Sequence, residues 1–461
     1  MSVLQTSAEH SLDPSSIFAA IDFEGLRSVI VAVSGGSDSL ALLHLILAFR
    51  DNCDAFPEII AVTVDHELRA ESNDEAHYVG QLCRAANISH RILRWSGPKP
   101  LSGISAKARE MRYSLLIDAA RDAGAGVILT GHTLDDQIET FVMRSARATA
   151  KGSGRGQAGM ARATLLKRQI WLVRPLLETS RESLREYLRK IGVSWRDDPS
   201  NDNTKYERVR VRQALRNDDR ERLKRAIDAK IDKRQAVNEK IAAALPSIAT
   251  ISRGICAEIT RESWAGLDTD AQRLAIGVLL ATMGGQLFLP STALCDKALA
   301  FLNVPDVSRR VAMSRCIIET RAGKIFIYRE MRSIPTVTIE PGQTMIWDGR
   351  YRVNNDTATP IEITASGTPG LLFLEDGEYT GPQVHRASVL SSPALVADGG
   401  IICMPAFADH GKLPRGISLT RYLGLFDNIL VGYDELLAQS VAEIFKLEPY
   451  TRSPVNQINK N

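Results

Sequence analysis

From residue 28 the chain alternates between short β-branched apolar runs and segments whose apolar residues return every three or four positions. The strand-like runs lie at 28–33, 58–64, 89–94 and 127–130, and the helix-like segments at 38–50, 72–86, 105–123 and 134–147. Strand alternating with helix predicts an α/β fold with a doubly wound parallel sheet. A further strand is expected at 169–173, then a helix at 181–191 capped by Thr179 or Ser180. From 205 to about 244 the pattern is charged and helical, and 262–301 holds two or three more helices. Two strands at 311–329 meet at Arg321-Ala322-Gly323. From 335 onward short strands dominate, at 336–339, 345–347 and 351–353, with a hairpin across 395–404 around Asp398-Gly399-Gly400. The expected organisation is the doubly wound domain over 1–217, a mainly helical middle domain over 218–333, and a small β-rich, α+β domain over 334–461.

The first strand stops at Ser34-Gly35-Gly36-Ser37-Asp38-Ser39, and a helix follows at once. Two glycines let the backbone come close and take positive φ. Free N–H groups and the positive end of the helix dipole then favour an anion, with three hydroxyls as further donors. Asp38 is out of place beside a phosphate unless a cation lies between them, which suggests Mg²⁺. A capped helix after a tight turn is the plainer alternative. No Gly-Lys-Ser/Thr follows, so this is not a Walker A loop.

In a doubly wound sheet, ligands bind beyond the carboxyl ends of the strands. Asp65-His66-Glu67-Leu68-Arg69 and Gly131-His132-Thr133-Leu134-Asp135-Asp136-Gln137-Ile138-Glu139-Thr140 follow the second and fourth strands, on the same rim. Helical spacing puts His132, Asp136 and Glu139 on one face, where they could hold a metal or move protons. Thr133 with Asp136 also reads as a capping box. His66 and Arg69 could meet a base or a phosphate. Arg112 could clamp a phosphoryl group, though an ordinary surface arginine fits as well. Arg208 and Arg212 share a helical face, which suits either a polyanion or a salt-bridged surface. The Gly-x-Gly-x-x-Gly within Lys151–Met160 follows a helix, not a strand, so it reads as a basic loop near the site.

Composition narrows the classes. The 461 residues are 44% hydrophobic and 24% charged, as in an ordinary soluble protein. No run approaches a membrane span, and residues 1–16 lack the basic and apolar regions of a signal peptide, so a cytoplasmic location is expected. The six cysteines are scattered without a Cys-x-x-Cys pair and read as reduced thiols. Residues 205–240 hold 13 Lys or Arg against 7 Asp or Glu, whereas 335–461 hold 9 against 14. Such a basic stretch is either a solvated face or a nucleic-acid contact.

The Ser-Gly-Gly-x-Asp-Ser loop resembles the PP-loop of the N-type ATP pyrophosphatases, which implies ATP as the ligand. Taken in order with Asp65–Arg69, Arg109–Tyr113, Gly131–Thr140, the Gly-rich loop, Arg174–Leu177 and Asp198–Arg212, it resembles the tRNA(Ile)-lysidine synthase family. Gly342…Trp347-Asp348-Gly349-Arg350 extends the likeness towards the C-terminus. The resemblance implies an ATP-dependent ligase. It would join free L-lysine to the wobble cytidine of a CAU-anticodon tRNA(Ile) through an adenylated intermediate, releasing AMP and pyrophosphate. It implies ATP on Ser34, Gly35, Gly36, Ser37, Asp38, Ser39 and His66, and Mg²⁺ on Asp38, Asp136 and Glu139. It further implies Arg112 and Arg208 as phosphate clamps, His132 as a catalytic group, and Arg208 and Arg212 as tRNA contacts. A PP-loop thiolase would need cysteines for sulfur or a cluster. A small-molecule amidating ligase would leave the basic stretch unexplained, and a non-catalytic nucleotide- or RNA-binding scaffold would leave the acids without a use.

Overall fold

The computed structural model describes residues 12–67, 72–100, 102–151, 155–197, 204–205, 207–216, 219–304, 308–376, 385–407 and 413–455. The chain divides into two compact units, one of residues 1–232, 431–433 and 451–461, the other of residues 233–430 and 434–450.

The first unit opens with α1 (Pro14–Phe18), β1 (Ser28–Ala32), α2 (Ser37–Arg50), β2 (Glu58–Asp65), α3 (Ser72–Ala85), β3 (Ser89–Arg94), α4 (Ile104–Asp122), β4 (Val127–Thr130) and α5 (Leu134–Lys151). It continues with β5 (Ala163–Leu166), β6 (Ile170–Val173), α6 (Arg181–Lys190), α7 (Glu207–Ala214) and the start of α8 (Asp219–Ile248). The first six strands are ordered β5-β6-β4-β1-β2-β3. All pairs are parallel except β5 with β6. β1 therefore lies between β2 and β4, the point where the strand order reverses. This is the doubly wound sheet expected, and the loop after β1 opens at its switch point.

The core follows from the pattern. β1 and β4 are mostly apolar and buried almost throughout because both sheet faces are covered. Ile30, Ile60, Val62, Ile128 and Leu172 pack with Leu116 and Ile117 of α4. α2 is apolar on nearly every side and is buried from Leu40 to Leu47 except at His44. On α5, Ile138 and Phe141 pack on Leu223 and Ile227 of α8, which leaves the acidic side of α5 for the rim.

The second unit contains β7 (Ala249–Ser252), β8 (Cys256–Thr260), α9 (Arg261–Ala265), α10 (Thr269–Gly284), α11 (Thr292–Leu302), β9 (Arg309–Met313), β10 (Cys316–Arg321) and β11 (Lys324–Arg329). These strands form an antiparallel sheet ordered β7-β8-β11-β10-β9, of which the sequence pattern showed only the part around 311–329. β12 (Val337–Ile339), β13 (Thr344–Trp347), β14 (Tyr351–Asn355), β15 (Ile361–Ala365), β16 (Pro393–Ala397), β17 (Gly400–Cys403) and β18 (Ile417–Arg421) make a four-stranded sheet, β12-β15-β16-β17, and a three-stranded one, β13-β14-β18. Ile339, Trp347, Val353, Ile363 and Leu395 are fully buried in their shared core. A helix at Glu435–Ile444 stands in the stretch expected to be mainly strand and turn. Among the described residues, no helix is long and apolar enough to cross a membrane.

Candidate functional site

β1 delivers Val33 to a last hydrogen bond with the Val62 carbonyl, 2.9 Å, after which the chain turns away from the sheet. Gly35 takes φ +83°, a conformation that favours glycine. Gly36 caps α2 with no side-chain hydrogen bond, so the first N–H groups of the helix are not taken by a capping side chain. Ser39 builds the loop. Its Oγ accepts the Ser34 N–H at 3.0 Å and donates to the Gly36 carbonyl at 3.1 Å, with Ser34 Oγ 3.2 Å away. Ser37 Oγ donates to Asp38 at 3.0 Å. The loop thus presents backbone donors and the Ser37 hydroxyl, while Ser34 and Ser39 hold its shape. Gly131 makes room for it, since a Cβ there would lie 2.8 Å from the Asp38 carbonyl oxygen.

The acid motif sits beside this loop. The helical spacing placed His132 on α5, but the helix begins at Leu134. His132 stands ahead of the cap, with Nδ1 2.9 Å from Thr130 Oγ1. Asp136 Oδ2 accepts both the Thr133 N–H and Thr133 Oγ at 3.0 Å, so the capping box is real. Its other oxygen faces the site, 3.5 Å from Arg181. One carboxylate therefore does both jobs that the sequence left open.

Arg181, the first residue of α6, is the site residue that the motif reading passed over. Its guanidinium lies 3.0 Å from Asp38, 3.5 Å from Asp136 and 3.9 Å from Glu139, and its backbone N–H donates to Asp135 at 2.8 Å. The signal was available. A cation in the first turn of a helix opposes the dipole and needs carboxylates facing it. Arg208 and Arg212 do share a face of α7, and both reach Glu139, at 3.3 and 2.8 Å. Arg220 takes Asp135 at 2.7 Å. Arg112 is held elsewhere on the rim, its Nε 3.3 Å from His66 Nε2, with His66 packed edge-on to Trp95.

Charge follows from burial and partners. Burial pushes the Asp38 carboxyl up despite Arg181 beside it, and pushes Glu139 up despite Arg212. Burial also works on Asp136, but Arg181, the Thr133 N–H and neighbouring cations outweigh it and hold that carboxyl low. Burial and then Arg174 push His132 down to about 3, and burial and then Arg112 push His66 down to about 4. Both imidazoles are neutral at pH 7.

A histidine lowered on folding binds its proton only in the unfolded chain, so its stability contribution is present above pH 6.5 and lost as pH falls. For His132 the loss between pH 6.5 and 5 is expected to be about 1–2 kcal/mol. Urea midpoints measured across that range should fall less steeply in His132→Gln; equal slopes would contradict a neutral, buried His132.

Among the described residues, no group of three or more His, Cys, Asp or Glu side chains is gathered to hold a metal ion. Asp38, Asp136 and Glu139 surround a guanidinium instead. In the Gly-rich loop the described part is tied down. Gln137 exchanges two hydrogen bonds with Met160, at 2.9 and 2.6 Å, and Arg144 donates to the Gly156 and Gly159 carbonyls. Arg69, Gly152–Gly154, Asp198–Asn201 and Tyr206 lie outside the described residues.

Residues 6–218 match the PP-loop domain family. The chain is 39% identical to the tRNA(Ile)-lysidine synthase of Brucella anthropi over 444 residues, covering 93% of this chain and 97% of that one. The enzyme of Brucella ovis matches at 39% over 439 residues with the same coverage. Among solved structures, the U34-tRNA thiolase of Methanococcus maripaludis with its 4Fe-4S cluster aligns at 13% identity and TM-score 0.40, over 47% of this chain and 77% of that one. The NAD⁺ synthetase of Burkholderia pseudomallei aligns at 13% identity and TM-score 0.28, over 50% and 99%. With such identity along nearly the whole of both chains, and a PP-loop at the switch point of its sheet, this chain belongs to the tRNA(Ile)-lysidine synthase family.

Proposed function

We propose that this chain uses ATP to join free L-lysine to C2 of wobble cytidine 34 in a CAU-anticodon tRNA(Ile). The C2 oxygen attacks the α-phosphate and pyrophosphate leaves. The lysine ε-amine then displaces AMP, and the codon read changes from AUG to AUA. The observation that carries this reading is the 39% identity to lysidine synthases over 93% of the chain.

The residues suit the steps. C2–O is a poor leaving group until it is adenylated, so the nucleotide has to be held where the oxygen can reach its α-phosphate. The loop from Ser34 to Ser39 would cradle the phosphates, His66 would lie towards the nucleoside, and Arg112 and Arg208 would meet phosphoryl oxygens. Mg²⁺ fits as a site of one or two carboxylates completed by phosphates and water, not as a cage of three acids. Asp38 and Asp136 would hold it, with Glu139 behind them on Arg208 and Arg212; bound there, it would offset charge on the phosphates. Lysine, with an ammonium pKa of about 10.4 in water, must lose a proton before it attacks. His132, pushed down to about 3 by burial and Arg174, would act there as a neutral hydrogen-bonding group.

Thiolate chemistry suits the chain poorly. All six cysteines are free and five are buried. Burial pushes Cys83 and Cys295 up to about 11, and Cys256 and Cys316 up to about 12. We further propose that residues 1–217 catalyse, that 218–333 and 334–461 grip the tRNA with Arg208 and Arg212, and that the protein works in the cytoplasm. The test is full-length protein with ATP, Mg²⁺, labelled lysine and tRNA transcripts. Lysine should enter only the CAU-anticodon tRNA(Ile); no incorporation by protein that binds ATP would overturn the reading.

A further inference from the structure

Arg181 joins three carboxylates drawn from two other elements. Asp38 comes from α2, and Asp136 and Glu139 from α5, and each faces a different nitrogen of the guanidinium. The arginine side chain is only 17% exposed. The other partners of these acids are unequal. Glu139 also has Arg208 and Arg212 at 3.3 and 2.8 Å. Asp38 otherwise has the Ser37 hydroxyl, and Asp136 has Thr133 and a distant Arg208 at 3.9 Å. If Arg181 left, Glu139 would stay paired, and Asp38 and Asp136 would be the two carboxylates set free.

We propose that Arg181 is a stand-in for the metal, holding Asp38 and Asp136 apart and neutralised until nucleotide brings Mg²⁺. This rests on the reading above that these two acids serve Mg²⁺. Guanidinium stays charged at any working pH, and its planar fork suits carboxylate and phosphate equally. It fills the acid cluster in the free protein, so a divalent ion alone competes poorly. When a nucleotide supplies phosphate oxygens, the ion gains ligands and Arg181 gains an alternative partner. Metal and nucleotide then enter together, and unproductive loading by the metal alone is suppressed.

The test uses Mn²⁺ alone, without nucleotide, on the full chain, with binding read by electron paramagnetic resonance. Arg181→Met should bind one Mn²⁺ at least about tenfold tighter than the unsubstituted protein, because a neutral side chain leaves the carboxylates to the ion. The gain should vanish when Asp38→Asn is added. Arg181→Lys keeps the charge and should stay near the weak affinity of the unsubstituted chain. Mn²⁺ should also raise the melting temperature of Arg181→Met and leave the other two unmoved. Equal Mn²⁺ affinity in Arg181→Met and the unsubstituted protein would overturn the proposal, as would a gain that survives Asp38→Asn. If Arg181→Met does not fold, the unsubstituted protein decides: tight nucleotide-free Mn²⁺ binding that Asp38→Asn abolishes would overturn it, and its absence, shared by Arg181→Lys, would support it. The two readings fail separately. Unchanged Mg²⁺ dependence of pyrophosphate release in Asp38→Asn would remove the metal role of Asp38, whereas loss of that dependence without a Mn²⁺ gain in Arg181→Met would remove only the stand-in.

Discussion

Asp38→Asn is expected to slow tRNA-dependent pyrophosphate release from ATP by at least about a hundredfold, equivalent to about 2.7 kcal/mol of transition-state stabilisation. The substitution keeps the size of the side chain and removes its charge. Asp38 stands in the first turn of α2, accepts the Ser37 hydroxyl at 3.0 Å and faces Arg181 at 3.0 Å. It belongs to a loop whose backbone is held by Ser39, not by Asp38 itself, so the loop should keep its shape. The loss should therefore appear mainly in the rate and in the Mg²⁺ concentration required, with a smaller change in nucleotide affinity. Stopped reactions scored for pyrophosphate, with ATP affinity measured separately, would distinguish these effects. A rate within about threefold of the unsubstituted enzyme would show that Asp38 stands outside the chemistry.

The parallel sheet was legible because β1, β2 and β4 are short β-branched runs buried almost throughout, separated by longer segments of helical period. β3 and β4 run as the pattern predicts, and β1 and β2 differ from it by one residue at one end. Two hairpins that the pattern did not mark share a cause. β5 and β6 are joined through Lys167 and Arg168, both with positive φ, and β9 and β10 through Ser314 and Arg315, likewise. Two residues with positive φ make the tight hairpin turn that Asn-Gly or Asp-Gly normally signals. Ala322-Gly323, Asp348-Gly349 and Asp398-Gly399 take that conformation too, and there the glycine marked the turn. Lys-Arg and Ser-Arg carry no such mark, so each hairpin was found only in part or not at all.

The candidate site was legible where chemistry is concentrated in a short motif, and illegible where partners come from far along the chain. Asp38 and Asp136 stand out as acids beside a phosphate loop. Their common partner lies 143 residues from Asp38, in a segment that reads as an ordinary capped helix. Arg112 shows the converse. Its motif suggested a phosphate clamp, and the structure adds His66 as a neighbour 46 residues away, which places both on the rim beyond β2. At His132 the one-face spacing does not apply, because α5 begins at Leu134, where the pattern places it, and Thr133 caps it.

Asp348→Ala is expected to destabilise the second unit by about 3–5 kcal/mol, the largest stability effect anticipated for a single substitution in this chain. Asp348 occupies the turn between β13 and β14, with φ +50° and its side chain fully buried. Arg350 Nε lies 2.6 Å from it and Arg329 3.1 Å, and both arginines are 1% exposed. Arg315 reaches the same carboxylate from a more exposed position. One buried anion thus balances two buried cations and part of a third. Removing it strands charges that cannot reach water, and guanidinium does not escape by losing its proton as a lysine would. Removing Arg315 instead leaves Asp348 with two partners, so Arg315→Ala should cost far less. The backbone adds to the case, because alanine is less at ease than aspartate at positive φ. Hydrogen exchange at the β14 amides, which follow directly from this turn, would report the change locally. Protection there should fall by at least about a hundredfold in Asp348→Ala and by less than tenfold in Arg315→Ala; equal losses would mean that the cluster is held by packing on Trp347 and Tyr351 and not by its single carboxylate.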